Sequence, residues 1–139
     1  MIRQENNQIG FADAFVTKTF NNTVLDRINT LIDWEPLRKM METQYSGPGR
    51  PGFPPVTLLK AALLQQWYNL SDPSLEEALD DRLNFRRFVG LHLDEKVPDH
   101  STIHRFRDRM APVIESLFKQ VQAQLEAENL LLKKGSLVD

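Results

Sequence analysis

The chain has 139 residues, enough for one domain with a modest core, and its 41% hydrophobic and 26% charged content suits a folded globular protein rather than a disordered one. The absence of cysteine excludes disulfides and thiolate zinc sites, and a net charge of −2 gives no global sign of a nucleic-acid partner. No secretory apolar run opens the sequence and no stretch is long enough to cross a bilayer, so a cytoplasmic protein with no membrane partner is expected.

The pattern reads as helical almost throughout. Phe11 to Phe20 is a short amphipathic candidate with Phe11 and Phe15 on one side. Thr23 to Leu31 follows, its apolar residues Val24, Leu25, Ile28 and Leu31 at helical spacing. Asp33 is placed to cap the next helix, whose stripe is Trp34, Leu37, Met41 and Tyr45; Pro36 falls in its first turn, where a missing N–H is harmless. Ser46 to Pro55 is too rich in glycine and proline for a helix and is expected to be a loop, with Arg50 exposed.

Val56 to Leu70 is the strongest core helix, apolar over most of its girth, with Lys60 as its lone charge and Trp67 read as core packing rather than as a stacking platform. Ser71-Asp72-Pro73 starts a helix running from Ser74 to about Leu83, and Glu76 and Glu77 suit the positive end of its dipole. Asn84 to Val89 is a further turn or two closed by Gly90, with Phe85, Phe88 and Val89 inward and Arg86 and Arg87 outward. After Pro112 a longer helix reaches about Asn129. Its stripe of Ile114, Leu117, Phe118, Val121 and Leu125 suits either an intramolecular core or a self-association seam. Leu130 to Asp139 reads as a short strand, a turn and the start of another strand. The expected class is therefore all-α, a multi-helix domain with a short β stub at the C-terminus.

Between these elements lies Pro98 to Met110, the segment richest in chemistry. Asp99 is a helix cap, and Ile103, Phe106 and Met110 fall on one face. Ser101, Thr102, Arg105 and Arg109 point elsewhere, so a helix docked by its apolar back would present hydroxyls and guanidiniums to phosphates and base edges. The alternative is a surface helix whose arginines are merely solvated. Charge distribution supports the first reading: Arg82 to Arg109 carries +3, and the rest of the chain −5. The three pieces Ser74–Leu83, Asn84–Val89 and His100–Met110 resemble a helix-turn-helix with the last as recognition helix. The Gly90–Asp99 connector is longer than the usual turn of about three to four residues, so the segment is helix-turn-helix-like.

His100 and His104 share a helix face, and His92 or Asp99 would complete a zinc site. Against zinc stands the lack of a metalloprotease glutamate and of any cysteine. There is no nucleophile signature and no phosphate-cradling glycine loop after a strand.

Several motifs together resemble the amino-terminal part of bacterial insertion-sequence transposases, nearest the insertion-sequence-five family with its InsH-type members. They are Gly49-Arg50-Pro51-Gly52-Phe53-Pro54-Pro55 with Leu58-Leu59-Lys60, Leu70-Ser71-Asp72 with Glu76-Glu77-Ala78-Leu79, Phe85 to Leu91, and Pro98 to Arg107. Ile32-Asp33-Trp34 also fits. The resemblance implies a helical DNA-binding or assembly domain over residues 1–129 and, over 130–139, the start of a ribonuclease-H-like core. Such cores hold divalent metal on three acids to cut and join DNA. The resemblance places Asp139, at the end of Gly135-Ser136-Leu137-Val138-Asp139, at the first of these acids, both catalytic and metal-binding. The second and third acids are not in the sequence, so it is read as a truncated or split transposase, inactive alone and without a cofactor of its own; Mg²⁺ is implied only for a complete core.

Two roles follow. In the first, the chain binds double-stranded DNA at the terminal inverted repeats of its element. Ser101, Thr102, Arg105 and Arg109 contact the DNA, and Arg86 and Arg87 steer on phosphates. In the second, residues 112–129 pair subunits into a homo-oligomer and the basic residues are solvated. A truncated copy inhibiting the full transposase is a variant that joins both.

Overall fold

The computed structural model describes residues 24–45 and 52–128, together with the strand segments 131–133 and 136–138. Among the described residues there are seven helices: α1 (Val24–Leu31), α2 (Glu35–Glu42), α3 (Pro55–Tyr68), α4 (Asp72–Asp81), α5 (Leu83–Val89), α6 (His100–Met110) and α7 (Ile114–Ala127). Strands β1 (Leu131–Lys133) and β2 (Ser136–Val138) follow as an antiparallel pair, with Leu131 opposite Val138 and Lys133 opposite Ser136. The all-α class read from the sequence is the class observed. The expected helix at Phe11 to Phe20, residues 46–51 of the expected loop, and Asp139 lie outside the described residues.

Helix α3 is central because it is apolar on every side, and it packs on α2, α4, α5 and α6. It starts one residue earlier than expected. Pro55 is its first residue rather than the last of the loop, since proline's fixed φ suits an opening helical turn and the N–H it lacks would have had no partner there. It also ends earlier, at Tyr68. Asn69 turns left-handed, at φ 55°, and its N–H returns to the carbonyl of Gln65. Trp67 is buried against Phe88, with ring centroids 5.9 Å apart, as a core residue.

The ends of the other helices are also set by local chemistry. Asp33 sits one place outside the capping position of α2, which Trp34 occupies, but its Oδ1 still accepts the N–H of Glu35 at 3.2 Å. Ser71 caps α4 by accepting the N–H of Ser74 at 3.1 Å, so α4 begins at Asp72, earlier than the expected Ser74. Helix α5 stops at Gly90, whose φ of 90° is left-handed; the N–H groups of Gly90 and Leu91 both return to the carbonyl of Arg86.

Most of the stripe on α7 is packed within the chain. Leu117, Val121 and Leu125 are buried where α7 meets α1 and α2. Each contributes about 1.5–3 kcal/mol relative to exposure. The Gln124 side chain adds a polar clamp, accepting the N–H of Asp33 at 2.7 Å and donating to its carbonyl at 3.1 Å. This packing takes up three of the five stripe residues; Ile114 and Phe118 are half-buried beside it.

Candidate functional site

The chemistry-bearing segment is α6, and its geometry starts at the cap. Asp99 accepts the N–H of Thr102 and the hydroxyl of Ser101, each at 2.8 Å. The Thr102 N–H first and the Ser101 hydroxyl next hold this carboxyl down at about 2. Behind the cap, Ile103, Phe106 and Met110 are buried, as the spacing predicts.

Two polar tethers then fix the helix against α4. Arg107 grips Asp72 with both guanidinium nitrogens and also donates to Gln65 at 3.0 Å, and Gln65 donates to Asp72 at 2.6 Å. The Arg107 guanidinium is the main reason the Asp72 carboxyl lies below its ordinary range. At the other end, the Oε1 of Glu76 accepts the His100 N–H at 2.8 Å and meets its Nδ1 at 2.9 Å. Hydrogen bonding across this pair raises the His100 pKa and lowers that of Glu76. The sequence places Glu76 at the positive end of the α4 dipole; in the structure it also receives the first turn of α6.

The outward side of α6 carries the remaining groups. Arg105 is exposed and reaches back to the Thr102 hydroxyl at 3.4 Å. Ser101 and Thr102 are half-buried beside it. Arg109, a turn further on, lies with its guanidinium carbon 4.8 Å from the centre of the Tyr45 ring, the residue that precedes the glycine- and proline-rich segment. Helix α4 packs on both α5 and α6, which brings the three sequential pieces of the helix-turn-helix-like segment together.

The structure separates the two α5 arginines from this group. Arg86, expected outward, is 6% exposed. Its guanidinium donates to the carbonyls of His92 and Glu95, both at 2.8 Å, and to Asp80 at 3.1 Å. The connector after α5 folds back over Arg86, whose N–H groups satisfy two of its carbonyls, which makes Arg86 a structural residue. Arg87 is half-buried and pairs with Asp26 of α1 at 3.3 Å.

The two histidines of α6 meet carboxylates. His104 lies 3.3 Å from Asp108 and 3.8 Å from Asp72, and His100 is held by Glu76. Among the described residues no three histidine, aspartate or glutamate side chains gather to hold a metal ion, so the zinc reading finds no ligand set there. No helix among them is long and apolar enough to cross a membrane.

Residues 13–109 fit the family described as Transposase domain (DUF772), a span that contains α1 to α5 and nearly all of α6. No solved structure matches the chain.

Proposed function

The chain belongs to the transposase domain family (DUF772), and we propose that its part in transposition is to bind the terminal inverted repeats of an insertion sequence, in an element of the insertion-sequence-five group. One observation carries this reading. Helix α6 is anchored by its apolar back and by the Arg107–Asp72 and His100–Glu76 tethers, while Arg105 stands exposed next to Ser101 and Thr102. A rigidly docked helix with a guanidinium and hydroxyls on its free side has the form of a major-groove reader. Arg105 reads a base edge, Ser101 and Thr102 contact phosphate or base, and Arg109 lies against the backbone. Arg86 takes no part, because its guanidinium is spent on the connector carbonyls.

Fluorescence anisotropy tests the proposal. The purified chain is titrated with duplexes carrying the ends of its own element and with scrambled duplexes, at low and moderate salt. Tighter binding to the ends at both salts, with the preference lost in Arg105→Ala at a cost of about 1–3 kcal/mol, supports it. Equal affinity for both duplexes, or no binding, overturns it.

A further inference from the structure

A second polar concavity lies apart from α6. It is an open hollow of about 700 Å³ between α1, α3, α5 and the end of α7, lined by Asn29, Trp34, Lys60, Arg87 and Glu128 among others. Lys60 is its unusual member. It is the sole formal charge on the most apolar helix among the described residues, and its Nζ lies 4.7 Å from the Trp34 ring centre and 5.8 Å from that of Phe88. The Trp34 indole is itself fixed, donating to the Asn29 carbonyl at 3.3 Å. Among the described residues the ammonium has no carboxylate partner. Burial alone pulls its pKa down to about 8. A desolvated cation with aromatic faces on one side and open space on the other is an incomplete pair, and an anion completes it. Arg87 lines the same hollow with its charge met by Asp26, and Arg27 lines it too.

We infer that the Lys60 hollow is a phosphate site, which in the bound complex takes one backbone phosphate of the DNA at a distance from the α6 contact. This rests on the DNA-binding role proposed above. The occupant is a phosphodiester because its anionic oxygens protrude from a narrow backbone and so enter a hollow that is open to solvent on one side. Base identity plays no part, so the contact adds affinity without adding sequence preference.

The test measures the salt dependence of duplex binding by the full chain, Lys60→Met and Lys60→Arg. In parallel, inorganic phosphate is titrated while the ¹³Cε resonance of Lys60 is followed by NMR. The inference expects Lys60→Met to reduce the slope of log affinity against log salt by about one, equally for element ends and scrambled duplexes, and Lys60→Arg to restore it. Phosphate should also shift the Lys60 signal. An unchanged slope in Lys60→Met, with Arg105→Ala still losing sequence preference, overturns the inference and leaves the proposed function standing. A Lys60 signal that moves with phosphate in a chain that binds no duplex overturns the proposed function, and with it the DNA source of the phosphate. A chain that binds no duplex and whose Lys60 signal ignores phosphate overturns both. Retention of the helical circular-dichroism signal by Lys60→Met separates loss of the contact from loss of fold.

Discussion

Arg107 of α6 and Asp72 of α4 form a two-pronged ion pair that Gln65 of α3 completes from the side, so one carboxylate holds three helices in register. The pair ties α6 to α4 two residues from the exposed Arg105, and so bears on how firmly the Arg105 side is held.

Removing either partner should loosen α6. Arg107→Ala or Asp72→Ala is expected to cost about 1–2 kcal/mol, the lower part of the range for charge-assisted bonds because the arginine is more than a third exposed. A double-mutant cycle by urea denaturation checks the coupling. The pH sign follows from the lowered pKa of Asp72: the stabilisation is complete above the ordinary value of 3.8 and is lost as pH falls through the lower folded value. Asp72→Asn should therefore flatten the acid limb of the stability profile below pH 3.8.

Arg86→Ala should destabilise the fold by about 2–4 kcal/mol, since it strips the donors from two connector carbonyls and removes a side chain that is buried. Thermal unfolding measures the loss. Where the variant is still folded, its salt slope for duplex binding should equal that of the parent chain, as befits a guanidinium that no phosphate reaches.

Leu117→Asp places a charge in a fully buried position of α7, and it should abolish cooperative folding rather than dissociate a dimer. Leu117→Ala is the milder companion, expected to cost about 2–5 kcal/mol. Melting temperatures taken over a hundredfold range of protein concentration should stay constant for this variant, as an intramolecular stripe requires.

Gly90→Ala tests the left-handed stop between α5 and the connector. A Cβ there would come no closer than 3.9 Å to Thr57 Oγ1, so the cost is conformational rather than steric, about 1–2 kcal/mol by equilibrium unfolding.

The His100–Glu76 pair predicts a titration at the start of α6. His100 is raised above 6.5 and Glu76 lowered below 4.5, so the pair is strongest between those folded values. It weakens as pH rises through the raised value of His100, and again as pH falls through the lowered value of Glu76. NMR titration of the imidazole should give a His100 pKa that falls towards its ordinary value in Glu76→Gln.

Much of this was legible because it is local. The cap at Asp99, the burial of Ile103, Phe106 and Met110, the stop at Gly90 and the apolar girth of α3 depend on residues within a turn or two of one another. Boundaries shifted where a single residue had a choice, as at Pro55, Asn69 and Asp72. The roles of the charged residues were less legible. Arg86 and Arg105 both look like outward arginines in sequence, yet one is buried and the other exposed.

By itself, the sequence determined the helical class, the ends of α6, the stop at Gly90 and the apolar back of α6, since backbone capping and side-chain periodicity act over a few residues. Only the tertiary structure decided which cations are spent and which are available. Arg86 is taken by carbonyls of a connector that folds back over it, and Arg107 by a carboxylate far away in sequence. Lys60 is left among aromatic rings facing an open hollow. A charge finds its partner through space, and desolvation by distant elements sets what that partner is worth.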